Sequence, residues 1–189
     1  KEAYDLDTLN KNTRWRDAIA KEMRNVMMAF KILEPDDELP PGREFVPCHL
    51  VFDVKMDGTA KARLVAAGCR TSDPEGSTWA GVVSRETVRL ALVYAALNDL
   101  DVLSADIMNA YLTAPTSQKL WTKCGPEFGS KAGRKAIITR ALYGNKSSGA
   151  DFRNHLRKCM KMMKYESCPA DPDLWMRLAK KDDGTEYYG

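Results

Sequence analysis

Two runs of β-prone residues, 46–54 and 60–66, are joined by a short polar loop that contains Asp57-Gly58. An Asp-Gly pair between two such runs is typical of a tight hairpin turn, because the turn needs backbone angles that these residues tolerate. The pattern therefore predicts two antiparallel strands. At least part of the sheet in this protein is then built from strands that are neighbours in sequence.

A helix is predicted for residues 14–33, where apolar side chains recur at steps of three and four and charged side chains lie on other faces. Proline lacks a backbone N–H and clashes with the preceding helical turn, so Pro35 is expected to end this helix. The apolar positions are Trp15, Ile19, Met23, Val26, Met27 and Phe30. Residues 88–97 are almost uniformly apolar and long enough to favour a second, buried helix.

A third helix is predicted from Ser148 to about Met163, with Ser148 as its N-cap and Asp151 in a partial capping box. Its buried stripe would consist of Phe152, Leu156, Cys159, Met160 and Met163. Short strands are expected at 102–105, 119–123, 136–139, 174–179 and 186–188. Because helices and strands do not alternate regularly, the pattern predicts an α+β fold with an antiparallel sheet and packed helices.

The composition is that of an ordinary globular domain, since 44% of the 189 residues are hydrophobic and 29% are charged. A net charge of +3 permits contact with nucleic acid but falls short of a strongly basic footprint. The five cysteines show no Cys-x-x-Cys spacing, so we interpret them as reduced thiols. No membrane-spanning stretch or signal peptide is recognisable, so we expect no membrane contact and a cytoplasmic or nuclear location.

Two segments carry residues suited to chemistry. Residues 104–112 read Ser-Ala-Asp-Ile-Met-Asn-Ala-Tyr-Leu, in which Asp106 is expected to close a short inner strand and Tyr111 follows five residues later. Residues 141–152 read Ala-Leu-Tyr-Gly-Asn-Lys-Ser-Ser-Gly-Ala-Asp-Phe. Short motifs also arise by chance, so Asp106 taken alone could simply end a strand and Tyr111 could belong to the core.

These segments resemble parts of the reverse transcriptase of copia-type (Pseudoviridae-like) retrotransposons. Residues 106–112 match its Asp-[Ile/Val]-x-x-Ala-[Phe/Tyr]-Leu motif, and residues 142–148 match its Leu-Tyr-Gly-Leu-Lys-Gln-Ser box. Further matches, in the family's order, are Trp15, Ala18 and Glu22, the hairpin residues 52–68, the Thr-x-x-x-Val-Val signature at 77–89, and Asp171-Pro172-Asp173-Leu174-Trp175. The resemblance covers nearly the whole chain.

The resemblance implies an RNA- and DNA-templated DNA polymerase that transfers nucleotides with two Mg²⁺ ions. Asp106 would be the catalytic metal ligand and the carbonyl of Ile107 a further metal contact. Tyr111 would lie beneath the sugar of the incoming deoxynucleoside triphosphate and exclude a 2′-hydroxyl.

Four further residues are candidates for contact with phosphate. Lys61 and Arg63 stand two apart on a predicted strand, so they share a face, and a basic pair there suits a nucleoside triphosphate. We expect both side chains to face Asp106, although a solvated strand face would show the same pattern. Gly144 and Lys146 precede the third helix and would approach template or nucleotide phosphates, or else form a plain strand-to-helix turn.

The family's right-hand architecture would place fingers at about residues 1–95 and 112–150, and part of the palm at about 96–111 and 151–189. The implied partners are an RNA or DNA template-primer, deoxynucleoside triphosphates and the rest of a Pol polyprotein. That polyprotein would carry integrase upstream and the remaining palm, thumb and RNase H downstream. The implied location is a cytoplasmic virus-like particle, the nucleus, or both.

Several features depart from the family pattern. Asn145 replaces the usual Leu, and Asp151-Phe152 replaces a small residue and Trp. Asp182-Asp183 precedes Gly184 in a Lys-rich turn, so we interpret it as a solvated turn and not as a catalytic pair. No Tyr-x-Asp-Asp box is present, and one carboxylate cannot position two Mg²⁺ ions, so these 189 residues alone are expected to bind Mg²⁺ weakly or not at all and to be inactive.

Two other hypotheses stand beside the polymerase. The chain could be a non-catalytic retroelement remnant or a co-opted nucleic-acid-binding module. It could also be a protein-interaction domain with no nucleic-acid role, which salt-sensitive binding to a primer-template would argue against.

Overall fold

The computed structural model describes residues 2–188, and its mixture of helices and small sheets confirms the α+β class. The α-helices are α1 (Glu2–Leu9), α2 (Arg14–Val26), α3 (Arg85–Leu97), α4 (Ala110–Thr113) and α5 (Ser148–Met162). The strands are β1 (Phe30–Ile32), β2 (Glu44–Phe45), β3 (Cys48–Val54), β4 (Ala60–Ala66), β5 (Leu120–Lys123), β6 (Lys135–Ile138), β7 (Glu166–Ser167), β8 (Trp175–Met176), β9 (Leu178–Lys180) and β10 (Glu186–Tyr188).

The chain divides into two compact units, each made from two separate stretches. Residues up to Thr78 join Asn109–Phe152 in the first unit, and Trp79–Met108 join the residues from Arg153 onward in the second. None of the helices in the described part of the chain is long and apolar enough to cross a bilayer.

The first unit contains a hydrophobic core to which α2, the β3–β4 hairpin and a four-stranded sheet contribute. The sheet has the order β1-β6-β5-β2. Its pairs are antiparallel except that β2 runs parallel to β5, so the sheet is mixed and the predicted antiparallel sheet is confirmed only in part. A parallel pair needs a long crossover connection, and the long stretch of chain between β2 and β5 supplies it. The largest apolar side chains that are almost completely buried are Val26, Val46, Leu64, Leu120, Ile138 and Leu142.

The predicted hairpin is confirmed. β3 and β4 pair antiparallel with Asp53 opposite Lys61, and Gly58 in the connecting turn has φ 80°, where a Cβ would be strained. Alternate residues of β4 point into the core, so that Leu64 is completely buried. The carboxylate of Glu22 on α2 accepts a hydrogen bond from the backbone N–H of Leu64 at 3.0 Å, which fixes the helix against the hairpin.

The predicted helix 14–33 is wrong at its C-terminal end. Helix α2 ends at Val26, a 3₁₀ turn follows at Met27–Ala29, and the chain then enters β1. Phe30 pairs with Ile138 and Ile32 with Ala136 on β6. The helical spacing of apolar residues therefore extends beyond the helix itself, into residues that form a strand. Their backbone N–H and C=O groups pair with β6, a partner that the local spacing does not reveal.

The helix predicted from Ser148 is confirmed, but its cap is one residue earlier. The carbonyl of Ser147 accepts the first helical hydrogen bond from Asp151, while Ser148 is already in the helix and its hydroxyl donates to the carbonyl of Leu142 at 2.6 Å. The predicted apolar stripe is only half-buried, with Met163 49% exposed. Strands β5 and β6 match the strands predicted at 119–123 and 136–139 within one residue.

The second unit contains α3, the residues of α5 from Arg153 onward, β7 with β8, and the β9–β10 hairpin that was predicted around Asp182-Asp183. Helix α3 confirms the predicted helix, but its predicted burial is wrong: none of its residues is buried, and Leu90 is 70% exposed. Apolar composition leads to burial only where other elements supply apolar surface. The other elements described in this unit are α5 from Arg153 onward, short strands and loops, and they leave every residue of α3 at least partly exposed.

The short inner strand predicted at 102–105 is also absent from the described structure. Residues 101–107 form an irregular segment in which Val102 is 62% and Leu103 is 94% exposed. A strand needs a hydrogen-bonded partner, and none of the strand pairs formed by residues 2–188 includes this segment. Asp106 therefore lies in an exposed loop and not at the end of a strand.

Candidate active site

The candidate residues are divided between the two units. Those in the first unit are Lys61, Arg63, Tyr111, Gly144 and Lys146, and those in the second are Asp106 and Ile107. The expectation that Lys61 and Arg63 face Asp106 therefore stays a prediction.

Lys61 and Arg63 share the outer face of β4, as their spacing predicted. Lys61 is half-buried and Arg63 is exposed, whereas the residues between and beyond them, such as Leu64, point into the core. Both cations are therefore held on a strand whose other face is anchored by packing. This arrangement presents positive charge from a rigid element, which suits contact with an anion.

Gly144 lies where the loop before α5 meets the end of β4. The backbone N–H of Ala66 donates to the carbonyl of Tyr143 at 2.8 Å. Gly144 has φ 90°, and a Cβ at this position would collide with the carbonyl oxygen of Ala66. Close approach of two backbones thus explains the glycine. Gly144 is also exposed, which leaves its backbone accessible to a phosphate.

Tyr111 belongs to a row of contacting side chains. It lies on the short helix α4, is half-buried, and its ring centroid is 5.0 Å from that of Tyr143 and 6.1 Å from that of Phe152. Tyr143 also contacts Arg63, whose guanidinium carbon lies 5.2 Å from the Tyr143 ring centroid. The row therefore joins β4, the loop before α5, α4 and α5, and it connects a candidate phosphate contact to the candidate sugar gate.

Lys146 already has two partners in the first unit. Its ammonium group donates to the carbonyl of Thr71 at 2.6 Å and to the carboxylate of Asp73 at 2.8 Å. The hydrogen bond and charge of Lys146 lower the pKa of Asp73, whose side chain is 93% exposed. An exposed ion pair contributes little to stability, so a phosphate could replace Asp73 as the partner of Lys146.

The segment that Lys146 contacts is also held from β2. The carboxylate of Glu44 accepts hydrogen bonds from the backbone N–H of Ser72 at 2.8 Å and from its hydroxyl at 2.6 Å. These bonds, the hydroxyl bond first, lower the pKa of Glu44. The chain after β4 is thereby fixed beside Lys146, so the lysine side chain lies against an ordered surface.

Asp106 and Ile107 are both exposed in the loop of the second unit, Ile107 by 48%. Among residues 2–188, no three His, Cys, Asp or Glu side chains lie together as a metal ion would require. Asp106 offers one carboxylate, whereas Mg²⁺ demands near-octahedral oxygen coordination. The described residues therefore do not by themselves make a complete Mg²⁺ site.

Two residues of this row of contacting side chains, Tyr143 and Phe152, were not among the predicted site residues. Tyr143 lies inside the 142–148 box, so the motif pointed to its neighbourhood but not to its side chain. Phe152 was predicted only as part of the apolar stripe of α5. The signal for both was aromatic character next to a predicted functional residue, and their contact with Tyr111 could not be read from spacing because it joins separate elements.

Comparison with known proteins finds a matching family model and similarity to the Pol polyproteins of transposons. A family model described as reverse transcriptase (RNA-dependent DNA polymerase) matches residues 32–183. The Retrovirus-related Pol polyprotein from transposon TNT 1-94 of Nicotiana tabacum is 28% identical over 172 residues, which are 85% of this chain and 13% of that protein. The Transposon Ty1-DR4 Gag-Pol polyprotein of Saccharomyces cerevisiae is 28% identical over 156 residues, 79% of this chain and 10% of that protein.

The chain thus spans only a small part of the curated relatives it matches. No solved structure matches it. The resemblance to copia-type retrotransposon reverse transcriptases that the motifs indicated is confirmed by the family match and by the transposon Pol relatives.

Proposed function

The chain belongs to the reverse transcriptase (RNA-dependent DNA polymerase) family, and on that premise we propose that it forms the fingers and part of the palm of a retrotransposon polymerase that copies RNA or DNA templates. The observation that carries this proposal is the family match over residues 32–183, which includes both motif segments, 104–112 and 141–152. The activity is proposed for the Pol protein that carries this chain, because the chain matches only part of its relatives.

We assign the fingers to about residues 1–95 and 112–150 and the palm to about 96–111 and 151–189. The interleaving of the two compact units along the chain supports a division of this kind. The first unit boundary, at Thr78, lies earlier than the proposed one.

The nucleotide is proposed to bind at the row of side chains in the first unit. Arg63 and Lys61 would contact the triphosphate, and Tyr111 would exclude a 2′-hydroxyl. The half-buried position of the Tyr111 ring supports this role, since a gate needs one accessible face and a supported back. Gly144 and Lys146 would contact template or nucleotide phosphates, with Lys146 exchanging Asp73 for a phosphate oxygen.

Asp106 is proposed as a metal ligand, with the carbonyl of Ile107 beside it. Two Mg²⁺ ions, when bound in a complete polymerase, would stabilise charge on the attacking and leaving oxygens. This part of the proposal rests on the family alone. The proposed partners are template-primer, deoxynucleoside triphosphates and the other Pol domains, in a cytoplasmic particle or the nucleus.

Primer extension by the polymerase that carries this chain tests the proposal. Asp106→Asn should lower the rate of extension about a hundredfold or more, because a lost metal ligand removes several kcal/mol of transition-state stabilisation. Asp182→Asn is the matched control, since Asp182 lies in the exposed β9–β10 turn and should leave extension unchanged. Full activity of the Asp106→Asn polymerase would contradict the proposal. We also expect no extension from the 189 residues alone.

One observation favours a second candidate, a non-catalytic retroelement remnant. Asn145 stands where the family usually has Leu, and it is buried without a hydrogen-bond partner for either polar atom of its side chain among the described residues. Such a site is costly, and relaxed selection would allow it. Absence of any extension by the full Pol protein, with normal binding of a primer-template, would support the remnant.

A further inference from the structure

Tyr143 has two neighbours to which the proposed function gives different tasks. Its ring contacts Tyr111, the proposed sugar gate, and carries the guanidinium of Arg63, a proposed triphosphate contact. We propose that Tyr143 is a positioning residue for nucleotide selection, whose ring fixes Tyr111 and Arg63 relative to each other. This inference rests on the proposed function and adds to it a residue that acts through its neighbours.

The backbone of Tyr143 is fixed to the strand that carries Arg63. Its carbonyl accepts the hydrogen bond from Ala66 at the end of β4, at 2.8 Å. The next residue, Gly144, approaches the carbonyl of Ala66 so closely that a Cβ would collide with it. These two contacts join the loop before α5 to the end of β4, the strand on which Arg63 lies.

The ring of Tyr143 connects the cation to the gate. The guanidinium carbon of Arg63 is 5.2 Å from the ring centroid of Tyr143, within the range of a cation–π interaction. The rings of Tyr143 and Tyr111 are 5.0 Å apart and inclined at 52°. Phe152 also contacts Tyr111, at 6.1 Å, but among the ring contacts of residues 2–188 only those of Tyr143 reach both.

Loss of the ring should therefore change two properties together. Tyr111 would lose the support of the Tyr143 ring, so its own ring could move and exclude a 2′-hydroxyl less well. Arg63 would lose the flat surface that orients its guanidinium, so a triphosphate would bind less tightly. A residue that only maintained the fold would instead lower stability and the amount of active protein without altering sugar choice.

The test uses the polymerase that carries this chain, with Tyr143→Leu and Tyr143→Phe. For Tyr143→Leu we expect the deoxynucleotide KM and the ribonucleotide share of incorporation each to rise about two- to tenfold, the range to which the energy of an aromatic pair corresponds. Tyr143→Phe keeps the ring and should restore both values. The matched control is Tyr165→Leu, because the guanidinium carbon of Arg177 lies 4.9 Å from the Tyr165 ring centroid in the same kind of contact, but Tyr165 belongs to the second unit and is not part of the row.

Tyr111→Ala, measured in parallel, separates the inference from the proposed function. A changed ribonucleotide share in Tyr111→Ala with none in Tyr143→Leu would overturn the role of Tyr143 and leave the gate intact. An unchanged share in both variants would overturn the gate, and the inference with it. If Tyr143→Leu does not fold, Tyr143→His takes its place, because histidine keeps a smaller flat ring. Its deoxynucleotide KM and ribonucleotide share should then rise, but by less than is expected for Tyr143→Leu. Wild-type values in a folded Tyr143→His would overturn the inference.

A direct readout in the 189-residue chain supplements the kinetics. With labelled tyrosine rings, Tyr143→Leu should shift the NMR signals of Tyr111, and Tyr165→Leu should not. Unchanged Tyr111 signals in Tyr143→Leu would show that the two rings do not support each other, and would overturn the inference without reference to activity.

Discussion

Gly144 and Asn145 are neighbours in the loop before α5, but only Gly144 suits its surroundings. Gly144 has the positive φ and the missing Cβ that close contact with Ala66 requires. Asn145 is only 7% exposed, and neither its amide nitrogen nor its oxygen finds a partner among the described residues. A buried polar group without a hydrogen bond keeps the full cost of its desolvation. The backbone is thus well suited to this loop, while the Asn145 side chain is not.

We therefore expect Asn145→Leu to stabilise the protein. Removing the unpaired amide should raise the free energy of unfolding by about 1–3 kcal/mol, measured by urea denaturation. Asn98→Leu is the matched control, because the Asn98 amide already donates to the carbonyl of Tyr94 at 2.8 Å and no such gain is available. A lower free energy of unfolding for Asn145→Leu would mean that the site cannot accept the apolar side chain.

For single residues, the sequence predicted which side chains share a face of an element better than it predicted which distant residues they contact. Lys61 and Arg63 share a face because side chains alternate along a strand, and that period is local. The contact of Arg63 with Tyr143 joins residues 80 positions apart, and the partners of Lys146, Thr71 and Asp73, are almost as remote. Nothing in the spacing of a motif encodes such tertiary contacts.

Elements were predictable where their cause is local. The β3–β4 hairpin follows from Asp57-Gly58 and the β-prone runs beside it, and α5 follows from its apolar period. Residues 30–32 were assigned to a helix because their pairing with β6 depends on residues more than a hundred positions away. The strand predicted at 102–105 is wrong for the converse reason. Its apolar residues favour a strand locally, but no partner strand pairs with them in the described structure.

The stability of helix α3 depends strongly on hydrogen bonds at its N-terminus. It has no buried residue, so its stability rests more than usual on the cap formed by Ser84, whose hydroxyl accepts from the N–H of Thr87 at 3.0 Å. Asp171 of the same unit reinforces this end, because its carboxylate accepts from the Thr87 hydroxyl at 2.6 Å and from the N–H of Ser84 at 3.0 Å. These bonds, that of the Thr87 hydroxyl first, lower the pKa of Asp171.

The start of α3 should consequently lose stability in acid. A carboxylate with a lowered folded-state pKa stabilises the fold above its ordinary pKa of 3.8, and this contribution disappears as the pH falls through the lowered value. Amide protection factors in the first turn of α3 should therefore be lower near pH 2–3 than at pH 5–7. Asp171→Asn should remove this pH dependence. A wild-type profile that stays flat down to pH 2 would contradict it.

Across the whole molecule, burial is uneven. All of the described residues that are buried belong to the first unit, and none belongs to the second. In the second unit, α3 instead borders an open apolar cavity of about 580 Å³, lined on the other side by residues such as Leu174 and Trp175. Stability that comes from removing apolar surface from water should accordingly be concentrated in the first unit.

A matched pair of leucine truncations tests this distribution. Leu64 on β4 is completely buried and Leu90 on α3 is 70% exposed, so the same chemical change meets opposite surroundings. Leu64→Ala should lower the free energy of unfolding of the first unit by about 2–5 kcal/mol, because it removes apolar contacts and leaves a cavity. Leu90→Ala should change stability by no more than about 0.5 kcal/mol, as is usual for an exposed position.

Hydrogen exchange measured by mass spectrometry can follow each unit separately in these variants. In the unmodified chain, amides of β4 and β6 should exchange through large-scale unfolding and those of α3 through much smaller openings, because few packed contacts oppose the opening of α3. Leu64→Ala should accelerate exchange in β4 and β6, while Leu90→Ala should leave every segment unchanged. Protection of α3 equal to that of β4, or a large loss of stability in Leu90→Ala, would show that α3 is buried in solution, and the described exposure of this helix would then be wrong.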